Sequence, residues 1–141
     1  MMTTKNHLKG ASFTYAFRRI NESINAGFYL EAVTLSESII SDRLLSFVKH
    51  HNKSVNVRTT FKQLIDYSKK YSKSKVKNSL DLFGDIDIWR IERNICIHSV
   101  SKSEPGTVTI AVEEFIELAK HSAINGKKLA RLVCEWNKDE K

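Results

Sequence analysis

Proline and glycine are scarce in this chain, which has one proline and five glycines among its 141 residues. An all-β fold needs turn residues about every 8–12 positions, so we do not expect one. No apolar run reaches the roughly 18 residues of a membrane-spanning helix, and the start of the chain lacks the apolar core of a signal peptide. We therefore expect a cytoplasmic, helical protein that makes no membrane contact.

Motifs for metal and phosphate binding are also missing. The chain has no glycine-rich phosphate loop, no paired-cysteine zinc spacing and no His-Glu-x-x-His. Cys96 and His98 are two positions apart on a predicted helix, so they point to different sides and make a poor metal pair. Both cysteines, Cys96 and Cys134, lie in apolar helical patterns that are typical of buried, reduced thiols. We expect neither a metal site nor a cofactor.

Apolar residues recur at helical spacing in five segments. The first segment begins near Ser12 and the third begins near Thr60. The other three span about 28–49, 80–100 and 110–136. The pattern predicts an all-α fold, an antiparallel up-and-down bundle of about five helices, in a single domain over 1–141.

Capping and helix-stop residues predict where these helices begin and end. Ser12 and Ser79 are candidate N-caps, and Gly27 is a candidate stop for the first helix. Thr60 and Gln63 fit a capping box, in which each side chain satisfies a free backbone donor. Residues 1–10 are expected to be frayed, residues 69–78 are expected to form a mobile loop, and Pro105-Gly106 must turn.

The net charge of +7 is concentrated in residues 49–77, which contain nine basic residues and one acidic residue, Asp66. The remainder of the chain, with 14 basic and 15 acidic residues, is nearly neutral. Such a local excess attracts polyanions, and aromatic and imidazole groups within it (His50, His51, Tyr67 and Tyr71) can stack on bases. We expect RNA binding by this segment, through Lys69, Lys70, Lys73 and Arg58. The alternative is a solvated helix followed by a Lys/Ser-rich loop.

One mostly apolar stretch, residues 91–100, contains an arginine and a histidine that are expensive to desolvate and are not needed to fill a core. A histidine can exchange a proton near neutral pH, and an arginine is a permanent donor to phosphate oxygens. Together, Arg93 and His98 suffice for metal-free RNA cleavage by the 2′-hydroxyl. The structural alternative is that Arg93 reaches a surface carboxylate and that His98 interacts with the helix dipole.

Five positions on a helix correspond to about 500° of rotation, so the Arg93 and His98 side chains diverge by roughly 140°. Either the helix ends near the motif, or two copies of the chain meet there in a dimer.

The run Arg93-Asn94-Ile95-Cys96-Ile97-His98 resembles the signature of the HEPN superfamily: an arginine, usually a polar residue next, then a histidine after four to six intervening positions. The flanking Ile88-Trp89 and the long helical stretch over 29–44 are similar as well. The resemblance implies a helical bundle that dimerises with both motifs facing one cleft. It also implies a metal-independent endoribonuclease of a toxin–antitoxin or antiviral defence system.

Carried over to this chain, the resemblance makes Arg93 and His98 catalytic, with Asn94 supporting them. Some members add a glutamate from the second helix, for which Glu37 is the candidate and Glu31 the alternative. A subset has a tyrosine two positions after the histidine, which a partner nucleotidyltransferase modifies, but this chain has Val100 there. An antitoxin or other inhibitor protein of another kind, or none, therefore remains open.

Two hypotheses follow from the motif: a homodimeric HEPN ribonuclease, and a catalytically silent HEPN module that binds nucleotide, RNA or a partner protein. A helical DNA-binding regulator fits the charge, but the chain lacks the short turn between two small helices that such proteins use.

Overall fold

The structure is a computed structural model that describes residues 2–73, 81–99 and 111–140. These residues form five helices and no strand, which confirms the predicted all-α bundle: α1 (Met2–Ala26), α2 (Tyr29–His51), α3 (Phe61–Tyr71), α4 (Leu82–Ser99) and α5 (Val112–Asp139). No helix in this described part is both long and apolar enough to cross a membrane.

Helix α2 is the central element, and it packs most extensively against α5. Helix α1 runs antiparallel to α2, because ion pairs match early residues of one with late residues of the other (Lys9–Asp42 and Arg19–Glu31). Helix α5 runs in the same direction as α2, since its middle approaches Ser36 and its end bonds to Arg43. Helix α4 is antiparallel to both, because its first turn contacts the end of α5 (Phe83–Trp136) and its later residue Arg93 pairs with Glu37 of α2.

Helix α3 also runs in the same direction as α2, which the strict up-and-down order did not anticipate. Its first residue, Phe61, shares a groove with Glu37 in the middle of α2. Its last residue, Tyr71, stacks on His51 at the end of α2. The loop 52–60 therefore returns along α2 by roughly 20 Å, within the reach of about 30 Å that nine extended residues have. One end of α3 thus lies near Arg93, and the other lies near the end of α2.

The predicted boundaries of α3 and α1 are confirmed in two places. The Thr60 Oγ1 accepts from the Gln63 backbone N–H (3.1 Å), and the Gln63 Oε1 accepts from the Thr60 N–H (3.0 Å), which completes the capping box. Gly27 has a φ of 84° and follows the last residue of α1. Glycine adopts this left-handed conformation without the steric cost of a Cβ, so it stops the helix as predicted.

Other boundary predictions were wrong. Helix α1 begins at Met2, so residues 2–10 are helical rather than frayed, and Ser12 is an interior residue whose hydroxyl donates to the Leu8 carbonyl (3.1 Å). Helix α3 continues to Tyr71, which packs against the core, so the predicted loop over 69–78 begins too early. Ser79, Pro105-Gly106 and residues 74–78 of that loop lie outside the described residues.

Trp89 of α4 lies at the centre of a core to which all five helices contribute. It is 2% exposed, and its indole N–H donates to the Ser122 carbonyl of α5 (2.9 Å). Gly126, one turn further along α5, lies against the same ring: an added Cβ would be 2.7 Å from the Trp89 Cζ2 and 3.2 Å from the Ser36 Cβ. The packing of α5 on α2 and α4 therefore requires glycine at this position.

Replacing Gly126 with alanine should therefore destabilise the protein, by about 1–3 kcal/mol, because the crowded core must shift to admit a methyl group. Alanine favours helix by about 1 kcal/mol over glycine, so the matched change Gly10→Ala, which meets no atom within 4 Å, should stabilise. Urea denaturation of both variants measures the difference. Equal stability of Gly126→Ala and Gly10→Ala would contradict the tight contact.

Candidate functional site

Arg93 lies on the side of α4 that faces the bundle. It follows buried Trp89 by four positions and precedes buried Cys96 by three, so these three side chains share one face of the helix. Its guanidinium pairs with the Glu37 carboxylate of α2 and lies 5.9 Å from the centre of the Phe61 ring of α3. The side chain is 17% exposed. Three helices therefore hold the guanidinium in place.

Glu37, the candidate that the family resemblance implied, is thus brought together with Arg93 although 56 positions separate them. The alternative, Glu31, is not at this site, because its carboxylate accepts a 2.8 Å hydrogen bond from Arg19 of α1. Glu37 and Phe61 also line a groove of about 290 Å³ between α2, α3 and the loop before α3. The Glu37 side of this ion pair is therefore accessible to solvent through the groove.

His98 is exposed in the last turn of α4. The helix continues through the motif to Ser99, so Arg93 and His98 diverge by roughly 140° and one chain does not bring them together. His98 shares its face of α4 with Ile88 and Ile91, which are 57% and 46% exposed. We call Ile88, Ile91 and His98 the α4 stripe; the exposed Ile95 lies between its last two members. Asn94 is half-buried and lies one turn before His98 on the same side of α4.

Charged side chains beside Arg93 join α3 to α4. Asp87 accepts hydrogen bonds from Arg90 (3.0 Å) and Lys62 (3.4 Å). Burial alone would raise the pKa of Asp87, but these hydrogen bonds outweigh it, and the net pKa lies below the ordinary value. Asp87 is therefore ionised at neutral pH and is not a proton donor for the site.

The cysteine within the motif is not a nucleophile. Burial raises the pKa of the Cys96 thiol, so it stays protonated at neutral pH, and the thiolate is the reactive form. Cys134 of α5 is half-buried rather than buried, and burial raises the pKa of its thiol as well. Both are free thiols, as expected for reduced cysteines. In the described part of the chain, no three or more His, Cys, Asp or Glu side chains are grouped to hold a metal ion.

Three of the four predicted RNA-binding residues lie together. Lys69 and Lys70 are exposed in the last turn of α3, and Lys73 is exposed two residues beyond it. Arg58 lies before the other end of α3, in the loop where its backbone N–H donates to the Asn56 side chain (2.8 Å). The sequence did not reveal that His51 stacks on Tyr71 beside the lysines, nor that Phe61 contacts Arg93. Both contacts depend on the direction of α3.

In comparisons with protein-family models, curated proteins and solved structures, the chain gave no match. Its function must therefore be inferred from its own residues.

Proposed function

We propose that the protein is a HEPN-type, metal-independent endoribonuclease that works as a homodimer. The observation that carries the proposal is that exposed His98 shares a face of α4 with two exposed isoleucines, Ile88 and Ile91. Exposed apolar stripes of this kind mark interaction surfaces. A two-fold dimer uses the same surface twice, so covering this stripe with a second copy brings two His98 side chains to one cleft.

Two histidines match what the reaction needs. The 2′-hydroxyl attacks the adjacent phosphorus while a neutral imidazole takes its proton, and a protonated imidazole gives a proton to the departing 5′-oxygen. The products are a 2′,3′-cyclic phosphate and a 5′-hydroxyl end. Arg93 supplies a fixed positive charge to the developing charge on phosphate, with Glu37 holding its guanidinium and Asn94 supporting the motif.

Cleavage of RNA should persist in excess chelator, and His98→Ala should lower its rate by about 10²–10⁴-fold, the usual contribution of a general acid or base. His121→Ala is the matched control, because His121 is exposed on α5, where it contacts Asn125 (2.9 Å). It should cleave like wild type. The measurement is gel analysis of the products and their ends. Activity that chelator abolishes and magnesium restores would contradict the proposal.

The biological role that goes with this activity is that of a cytoplasmic toxin or antiviral defence effector. Unrestrained RNA cleavage stops growth, so an inhibitor protein is a natural partner for such an enzyme, although the residues do not specify one.

A second candidate is a catalytically silent HEPN module that binds nucleotide, RNA or a partner protein. The partial burial of Arg93 against Glu37 favours it, since an arginine with only a structural role would be placed in the same way. The two candidates differ in whether the wild-type protein cleaves RNA, which the cleavage assay above tests. Variants of Arg93 and Glu37 then separate a structural role of Arg93 from a catalytic one.

A further inference from the structure

Three rings form a nearly parallel ladder where α2 and α3 end. The His51 and Tyr71 rings are 5.1 Å apart with an interplanar angle of 13°, and the Tyr67 and Tyr71 rings are 6.2 Å apart at 14°. We call these three residues the ring ladder. The spacing of Tyr67 and Tyr71 follows from their positions one turn apart on α3, whereas His51 joins them from another helix.

The ladder is held in place by the protein itself. The His51 Nδ1–H donates to the Phe47 carbonyl oxygen (3.2 Å), because a carbonyl can only accept. Both tyrosines are half-buried against the core, whereas His51 is exposed. Next to them, the Trp136 indole N–H donates to the Ser72 hydroxyl (3.0 Å), which fixes the chain just after Tyr71. A platform ordered in this way loses little entropy when a ligand stacks on it.

Positive charge surrounds the ladder. The Lys70 ammonium lies 5.6 Å from the centre of the Tyr71 ring, and Lys69 and Lys73 are exposed nearby in sequence. The end of α2 adds exposed Lys49, and exposed Lys53 follows it. Asp66 pairs with Lys62, and the Glu140 carboxylate accepts from Ser72 and Trp136, so the lysines outnumber the acidic side chains here. The excess of cations suits a polyanion.

We propose that the ring ladder binds single-stranded RNA, with an unpaired base stacked on the rings and Lys69, Lys70 and Lys73 contacting the adjoining phosphates. Rings alone suit many ligands, and lysines alone suit any polyanion, but their combination matches an exposed base beside a phosphate chain. A duplex hides its base faces and satisfies only the lysines.

The inference rests on the proposed function in choosing RNA as the ligand, and it adds the path of the strand. Helix α3 is about 15 Å long. A strand held at the ladder can follow α3 past Lys62 to its other end, where exposed Arg58 and the Phe61–Arg93 contact lie. This path gives Arg58, which the ladder region does not include, a place in the same interface.

The experiment measures binding of a short single-stranded RNA and the matching duplex by fluorescence anisotropy over a range of salt concentrations. All variants carry His98→Ala, so that cleavage does not interfere. Tyr71→Leu removes the middle ring, on which His51 stacks, but keeps apolar bulk. His51→Gln removes the exposed ring, which touches the core at Phe47. His51→Gln should weaken single-strand binding roughly 5- to 150-fold, the value of one lost base–aromatic stack. Tyr71→Leu should also weaken it, because His51 loses the ring that holds it in place.

The salt dependence separates stacking from charge. Tyr71→Leu and His51→Gln should leave the slope of log affinity against log salt unchanged, because neither loses a phosphate contact. Replacing Lys69, Lys70 and Lys73 with glutamine should flatten the slope by about 2, since roughly 0.7 counterions are released per phosphate contact on a single strand. Tyr15→Leu is the matched control, an exposed tyrosine on α1 that contacts Arg18. It should bind like the parent.

Unchanged affinity in both Tyr71→Leu and His51→Gln overturns the inference, even if the lysine variant binds weakly. Equal affinity for duplex and single strand also overturns it, since stacking would then play no part. The proposed function fails separately: a protein that binds through the ladder but never cleaves RNA leaves the inference intact. If the two ring substitutions are made instead in a chain that keeps His98, an unchanged cleavage rate leaves the ribonuclease intact and the ladder without this role.

Discussion

Wild-type chains mixed with an excess of His98→Ala chains should retain much less activity than the fraction of wild-type chains in the mixture. Within one chain, Arg93 and His98 point to different sides of α4, and each chain supplies only one motif histidine. If both His98 side chains of a dimer serve one cleft, a heterodimer has a base without an acid, or the reverse. In a mixture that is about one quarter wild type, activity falls to about one sixteenth, the share of wild-type homodimers in a random two-fold pairing.

Activity of about one quarter, proportional to wild-type chains, would mean that each subunit cuts alone and that the composite site is wrong. The interface itself is tested with Ile91→Glu, which places a charge in the α4 stripe. This variant should be inactive, and sedimentation velocity should show it to be a monomer. Leu8→Glu changes a similarly exposed residue on α1 and should leave both assembly and activity unchanged.

Helical periodicity predicted the number and order of the helices, but it could not predict the direction of α3. Periodicity reports which face of a helix is buried, whereas direction depends on whether the loop 52–60 extends away from α2 or returns along it. The capping box at Thr60 and the stop at Gly27 were predictable because their chemistry is local. The stacking of His51 on Tyr71 was not, since it exists only when α3 runs in the same direction as α2.

The burial of Arg93 could have been read from its position. Trp89, Arg93 and Cys96 are separated by four and three residues, the spacing of one helix face, and two of the three are apolar. Of the two candidate glutamates, Glu37 pairs with Arg93, whereas Glu31 pairs with Arg19. What it could not supply was the third contact, Phe61, whose position depends on α3. Arg93 therefore has a structural as well as a proposed catalytic role, and any mutation must separate the two.

Arg93→Met should both destabilise the protein and abolish cleavage. The loss of the guanidinium leaves the partly buried Glu37 carboxylate without its ion-pair partner, which should cost about 1–3 kcal/mol, below the 3–5 kcal/mol typical of fully buried pairs. If Arg93 also stabilises the transition state, its loss slows cleavage by about 10²–10³-fold. The single variant cannot distinguish a catalytic defect from partial unfolding.

The double variant Arg93→Met/Glu37→Leu makes that distinction. Replacing both members of a buried ion pair with apolar side chains is often neutral, so most of the stability measured by urea denaturation should return. Cleavage should not return, because no apolar side chain replaces a phosphate donor. The matched control is Arg19→Met/Glu31→Leu, an ion pair of the same chemistry between α1 and α2 that is more exposed. It should cost little stability and no activity.

The outcome decides whether Arg93 takes part in cleavage or only joins two helices. A stable Arg93→Met/Glu37→Leu protein that cleaves RNA at the wild-type rate would show that Arg93 only joins α4 to α2, and catalysis would then have to come from His98 and other groups. A stable protein that has lost cleavage but still binds RNA assigns Arg93 to the reaction. Because Glu37 holds one side of the guanidinium, Glu37→Gln should then reduce cleavage less than Arg93→Met, since it loosens the donor without removing it.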